Sequence, residues 1–142
     1  MAAPQLTIDQ ARAVLRAQPF SVLLGADLDR FGTGHAALRV ALRDDLRQQN
    51  GVAHGGLLSY AADNAITFAA GSVAGADVLT SAMQINYLTA AKGTAIEAVA
   101  DVVDAGRRIV TVRCDVFDVR RDDRRLCAVA QGTVFRNTRT ER

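Results

Sequence analysis

From Gln48 to Asn64 the chain reads Gln-Gln-Asn-Gly-Val-Ala-His-Gly-Gly and then Leu-Leu-Ser-Tyr-Ala-Ala-Asp-Asn. Gly55 and Gly56 stand where a helix should begin. Unpaired backbone N–H groups and the positive end of the helix dipole would face whatever lies above them, which makes a seat for a developing oxyanion. Two turns later Asp63 interrupts a run of Leu57, Leu58, Ala61, Ala62, Ala65, Ile66, Phe68 and Ala69 that is apolar or small on nearly every face. A carboxylate inside such a helix is costly unless it has a task or a partner. The task would be nucleophile or general base; the alternative is an acid paired with Arg or capping a neighbouring loop.

Thr67 follows Asp63 by four residues and shares its helical face, so its hydroxyl either orients the acid or an attacking water, or bonds back to its own i−4 carbonyl. His54 beside two glycines has two readings: a general base, or a ring that bonds the loop backbone or positions the substrate. Metal binding is not expected, because the chain has only two His residues and no Cys or carboxylate cluster at ligand spacing. His35, next to Gly34, reads as surface. Gly55 and Asp63 are eight residues apart on one rod, about 12 Å along the axis at 1.5 Å per residue. One carbonyl cannot touch both, so the economical arrangement sets Asp63 of one chain against Gly55 of another across a dimer interface.

The chain has 142 residues, enough for one domain with its own core. Seventeen basic against 15 acidic residues and an aromatic content of 5% give little support to nucleic-acid binding. Cys114 and Cys127 fall in expected strands without a C-x-x-C pair. They read as small buried hydrophobes of a reducing compartment, with a disulfide between neighbouring strands as the alternative. Met1 to Gln5 lacks a basic region followed by an apolar one, and no apolar run reaches about 18 residues. A cytoplasmic protein that does not enter a membrane is expected.

These residues need a scaffold. Thr7-Ile8-Asp9-Gln10 is a capping-box pattern opening a short helix, about 7–18, that ends near Pro19. Segments 26–31 and 35–43 flank Gly32-Thr33-Gly34 as a hairpin with one wet face. The central helix is expected over about 56–71, closing at Gly71 to Gly75. Strands follow at about 77–90, 94–105, 107–119 and 125–136, with Arg120 to Arg125 as a solvated hairpin tip. Helix, two strands, a buried helix and four strands in succession argue α+β, one antiparallel sheet wrapping a central helix.

Gly51-x-x-His54-Gly55-Gly56, the acid at Asp63, the strand Met83-Gln84-Ile85-Asn86-Tyr87-Leu88 with Ala91-Lys92-Gly93 after it, and Ala130-Gln131-Gly132-Thr133-Val134-Phe135 together resemble the hotdog-fold acyl-CoA thioesterases of the phenylacetic-acid and hydroxybenzoyl-CoA type. The resemblance spans roughly residues 20–136. It implies hydrolysis of an acyl-CoA to free acid and CoA without metal or organic cofactor, in a homodimer or homotetramer. Asp63 is then the attacking or activating group, and the Gly55 N–H the oxyanion donor, aided by Gly56 and the helix terminus. An amide six residues before His54 bonds the thioester carbonyl in that branch; spacing prefers Gln48, with Asn50 shaping the turn as the alternative. A hydroxyl near the acid falls at Thr80 or Ser81, with Thr80 preferred. Lys92, Arg107 and Arg108 suit the CoA phosphates, though such residues also occur as ordinary turn charges. Leu57, Tyr60, Phe68 and Met83 suggest an acyl pocket, with Ala61, Ala62 and Ala65 leaving room for an aryl or medium-length group. Two other readings compete: a hotdog enoyl-CoA hydratase, disfavoured because Asp63 follows rather than precedes His54, and a non-catalytic acyl-CoA-binding module.

Overall fold

A computed structural model describes residues 5–137; Met1 to Pro4, on which part of the reading of the N-terminus rested, lie outside the described residues. The order is α1 (Ile8–Arg16), α2 (Pro19–Leu24), β1 (Ala26–Gly32), β2 (His35–Ala41), a 3-10 turn (Asp44–Leu46), α3 (Gly55–Ala74), β3 (Val78–Tyr87), β4 (Ala95–Ala105), β5 (Ile109–Val119) and β6 (Arg124–Arg136). All strand pairs are antiparallel, and the sheet runs β1-β2-β4-β5-β6-β3.

α1 starts at the expected capping box, Thr7 and Gln10 exchanging side-chain and backbone bonds. Pro19 does not simply end the helical region. It sits at the first position of α2, where its missing N–H costs nothing. Helix α3 continues past Gly71 to Ala74, because Gly75, not Gly71, takes the positive φ.

α3 lies on one face of the sheet. Leu58, Ala61, Ala62, Ala65, Ile66 and Ala69 are buried against Ile96, Ala98, Val112, Cys114, Val116 and Val134. A fully buried Ile or Leu here contributes roughly 1.5–3 kcal/mol. The contact is close because α3 is rich in alanine and because Gly132 of β6 has no side chain. A Cβ there would come within 3.2 Å of Ile66 Cγ2.

Of four register shifts in the sheet, two lie near the site. Thr80 pairs with Val134 and Ala82 with Thr133, so Ser81 is an extra residue that shifts the phase of β3. Val78, Thr80, Met83 and Ile85 are consequently the half-buried positions, a pattern simple alternation does not give. In β6 the register skips Cys127, and its carbonyl accepts from Leu88 and Thr89 N–H as the chain leaves β3. Cys114 and Cys127 are both free and buried.

The charged tip is only partly solvated surface, a correction to the sequence reading. Arg120 pairs with Asp118, which is fully buried, and Arg124 pairs with Glu97 while lying 3.9 Å from the Phe117 ring centroid. Asp118 has a further duty. Its carboxylate accepts from Lys92 and Gly93 N–H at 3.1 and 2.8 Å, clamping the turn before β4. A Cβ at Gly93 would stand 2.1 Å from Val119 O, so only glycine fits that clamp.

Candidate active site

The loop before α3 is built from its own backbone. Gly51, at φ +83°, donates to Gln48 O at 3.0 Å, and Gln48 N–H donates to Val52 O at 2.7 Å. The Arg47 guanidinium donates to the carbonyls of Gly51, Leu42 and Gly93, tying the loop to the ends of two strands. Ala53 N–H bonds Ala91 O, which fixes the loop beside the segment leaving β3. Asn50 is exposed, and among the described residues its side chain makes no hydrogen bond. The turn does not rely on it.

His54 caps α3. Its Nδ1 accepts from Gly56 N–H at 2.8 Å, satisfying one orphan donor of the first turn. This explains one of the paired glycines. A Cβ on Gly56 would lie 2.9 Å from His54 Nδ1 and 3.2 Å from Cε1, so a side chain there and the folded-back ring exclude each other. The Gly56 N–H is therefore spent internally. Among the described residues nothing accepts from Gly55 N–H, and that donor stands at the positive end of a 20-residue helix.

The free N–H opens on a cavity of about 560 Å³ whose walls include Gln48, Ala53, Gly55, Gly56, Tyr87 and Ala91. Gln48 is half-buried in this wall, its amide nitrogen 3.4 Å from Ala53 O. Tyr87 was not singled out by sequence. Its hydroxyl donates to Gly55 O at 3.2 Å and lies 2.6 Å from Ser59 Oγ. The 55–56 peptide is thus held at its carbonyl by Tyr87 and at its N–H by His54. The only sequence signal was a Tyr at the end of the strand that precedes Ala91-Lys92-Gly93; what it touches depends on where β3 ends relative to α3.

Asp63 is half-buried, farther along α3 and outside that cavity wall. Thr80 Oγ1 donates to its Oδ1 at 2.8 Å, and Thr67 Oγ1 lies 2.9 Å from both Thr80 Oγ1 and Asp63 O. The back-bond of Thr67 to its i−4 carbonyl is present, and its hydroxyl reaches the Asp63 carboxylate only by way of Thr80. Two hydroxyl protons serve three contacts: once Thr80 donates to the carboxylate, Thr67 supplies the remaining proton to Thr80 or to the helix carbonyl. Among the described residues no group bonds Asp63 Oδ2, which leaves one carboxylate oxygen available.

Other candidates fall elsewhere. Ser81 is the bulge residue and points to the outer face, bonding Thr133 O and Oγ1; it does not approach Asp63. Tyr60 donates to Ser21 Oγ at 2.6 Å and packs edge-on against Phe20, so it belongs to a polar cluster with Gln18, Ser21 and Asn64 that fastens α2 to α3. That hydroxyl needed a partner, and α2, absent from the expected elements, provides it. Leu57, Ala61, Ala62 and Ala65 are core, and Met83 packs on its margin. Lys92 is exposed in the turn before β4, beside Ala91 of the cavity wall, whereas Arg107 and Arg108 are exposed beyond the far end of that strand. Eleven residues of β4 separate them, roughly 36 Å of strand, so in one chain they do not form a single phosphate site. His35 is no isolated surface group, since its Nδ1 lies 2.7 Å from Asp101 Oδ1 on the neighbouring strand.

Burial pushes both thiols up, Cys114 to about 12 and Cys127 to about 11, with nearby Asp115 and Asp118 respectively adding to the effect. Neither thiol belongs to the groups just described. Among the described residues no helix is long and apolar enough to cross a membrane.

Residues 50–128 match the sequence profile of the thioesterase superfamily. A protein of Saccharolobus solfataricus named as an esterase is 26% identical over 141 residues, covering 97% of this chain and 92% of that one. A thioesterase family protein from Silicibacter pomeroyi superposes with a TM-score of 0.83 at 29% identity, over 87% of this chain and 93% of that one. A variant of the phenylacetic acid degradation protein PaaI from Thermus thermophilus superposes with a TM-score of 0.74 at 30% identity, over 84% and 99%.

Proposed function

The chain belongs to the thioesterase superfamily, has the hotdog fold and is a thioester hydrolase, and from that premise we propose that it cleaves an aryl- or medium-chain acyl-CoA to the free acid and CoA, with Asp63 as the attacking or water-activating group. The observation that carries this reading is the state of that carboxylate: embedded in a buried helix, held at Oδ1 by Thr80, and open at Oδ2.

Hydrolysis of a thioester requires that an oxygen nucleophile reach the carbonyl carbon, that the carbonyl oxygen be stabilised as it gains charge, and that the thiol leave with a proton. Asp63 Oδ2 serves the first need, directly or by taking a proton from water. The Gly55 N–H serves the second, adjoining the doubly fastened 55–56 peptide and strengthened by the helix terminus; a donor of this kind is worth about 3–4 kcal/mol of barrier. The Gln48 amide, in the same cavity wall, is a second donor to that oxygen.

Donor and acid sit on one helix about 12 Å apart, which supports a site completed by a second chain. β3 is the element suited to join the two. Among the described residues it bonds only β6 and leaves its other edge unpaired, it carries exposed Leu79 and Tyr87, and it touches both half-sites, Asp63 through Thr80 and Gly55 through Tyr87. Two β3 edges meeting antiparallel about a two-fold axis would cover this edge and set each Gly55 toward the partner's acid.

Asp63→Asn tests the reading. It is nearly isosteric, keeps the Thr80 contact, and should lower kcat by ~10³ or more with KM little changed, because a reacting group is lost rather than a ground-state contact. Turnover is read as free thiol released from a panel of acyl-CoAs. Retention of more than a tenth of wild-type turnover would make Asp63 a structural acid.

A further inference from the structure

Along β5 every second residue faces the core, and Val110, Val112, Cys114 and Val116 fill those places; the next in the series is Asp118, also fully buried. A carboxylate at a core position is unfavourable unless both its oxygens are well bonded. What Asp118 does that a valine could not is accept two backbone N–H groups of the segment joining β3 to β4. Its Oδ1 takes Gly93 N–H and its Oδ2 takes Lys92 N–H, while the half-exposed Arg120 closes the carboxylate from the solvent side. Among the described residues neither N–H has a backbone acceptor. The turn thus takes its shape from a side chain of the neighbouring strand.

The same turn moors the loop before α3. Ala91 O accepts Ala53 N–H at 2.9 Å, and Gly93 O accepts from Arg47, whose guanidinium also donates to Gly51 O at 2.8 Å. Gly93 is therefore held at its N–H by Asp118 and at its carbonyl by Arg47. Ala53 stands two residues before Gly55, and its carbonyl meets the Gln48 amide. We infer that Asp118 is a positioning residue for thioester cleavage: from the far side of the turn, without touching substrate, it sets where the Gly55 N–H and the Gln48 amide stand. The inference rests on the reading of those two groups as oxyanion donors. A buried charged acceptor suits the task, because its bonds to N–H groups are shorter and about twice as strong as neutral ones. Stabilising an oxyanion depends on donors fixed before the reaction begins, and a misplacement of about 1 Å caused by a remote change can lower the rate ~10²-fold.

Asp118→Asn tests this, since it keeps the size of the group and one acceptor oxygen but loses the charge and sets an amide NH2 against a backbone N–H. Its kcat should fall ~10- to 10²-fold, with KM little changed, because the loss falls on the developing oxyanion rather than on bound substrate. A merely structural acid would lower stability and leave kcat per folded protomer as it was, so turnover is measured well below the melting temperature of the variant. Amide hydrogen exchange gives a second readout. Protection at Gly93 and at Ala53 should drop together by ~10-fold or more, and further than at Val112 and Cys114 in the middle of β5. Should the variant not fold, the parent decides: if clamp and loop are one unit, Gly93 and Ala53 exchange through a common opening with the same dependence on urea. Separate openings in the parent, a folded variant with wild-type kcat, an effect confined to KM, or an Ala53 as protected as before overturns the positioning role and leaves the thioesterase reading intact. A parent that releases no thiol from any acyl-CoA overturns both.

Discussion

If Gly56 exists to make room for the His54 ring, the two residues are coupled energetically, and the size of the coupling follows from their contact. His54→Ala removes the Nδ1 that accepts from Gly56 N–H, a loss of ~1 kcal/mol for a helix N-cap. Gly56→Ala places a Cβ 2.9 Å from Nδ1, expels the ring and loses the same bond. It also gains the helix preference of Ala over Gly, at most ~1 kcal/mol. In the wild-type background Gly56→Ala should therefore be near neutral to ~1 kcal/mol destabilising. In the His54→Ala background there is no ring to expel and only the gain remains, so the same substitution should stabilise. The propensity contribution is common to both backgrounds and cancels in the cycle, leaving a coupling of ~1 kcal/mol that equals the cap. Urea denaturation of the four proteins at one protein concentration measures it; with m near ~2 kcal/mol/M the corresponding midpoint shift is ~0.5 M. Additivity within ~0.3 kcal/mol would show that the ring and the glycine are independent and that the paired glycines need another explanation.

Gln48→Ala should lower turnover by ~10- to 10²-fold if its amide supplies one hydrogen bond to the oxyanion, while Asn50→Ala leaves turnover unchanged; the reverse pattern would identify the wrong amide. Mixing the Asp63→Ala chain with the weakened Gln48→Ala chain under subunit exchange should raise activity to about a quarter of wild type, well above the average of the two unmixed, since half of randomly paired dimers are mixed and each holds one intact site of two. Mixed dimers seen by mass spectrometry without activity would return both groups to one chain. With the thiol values raised to about 12 and about 11, both cysteines stay protonated at pH 8 in the native protein, so a thiol reagent should modify them orders of magnitude more slowly than in urea, where they regain ordinary acidity. Rapid native reaction would mean that β5 and β6 open readily. The sign on stability follows: folding holds these protons more tightly than the unfolded chain does, so stability is retained below about pH 9 and falls as pH rises toward 11 to 12.

The elements were legible where local chemistry decides them. The capping box announced α1, alternation announced β5, and the glycines announced the start of α3. What sequence periodicity missed lies in tertiary contacts and chain offsets. Pro19 read as a terminator because proline both ends and begins helices, and with α2 unseen Tyr60 had no visible partner and was assigned to the acyl group. The bulge at Ser81 leaves no trace in composition, yet it decides that Thr80 reaches Asp63 while its neighbour faces away. Lys92 and Arg108 look alike in a string of residues; the length of β4 separates them. Gly93 and Gly132 could be marked as motif glycines, but only packing shows that one accommodates a buried carboxylate clamp and the other the side chain of Ile66.

α3 also acts as a ruler with a fixed zero. Its N-terminus is pinned by His54 and Tyr87, and most of its faces are locked by buried alanines and leucines against the sheet. Inserting or deleting one residue between Gly55 and Asp63 would turn the acid by about 100° and move it by about 1.5 Å. Such a packed rod cannot rotate to compensate. In evolutionary terms this stretch can change by replacement but not by length, whereas the hairpin tips at Thr33 and Asp122 are free to lengthen. Side-chain volume along the Asp63–Gly71 stripe can therefore vary, while the spacing between Gly55 and Asp63 on the helix cannot.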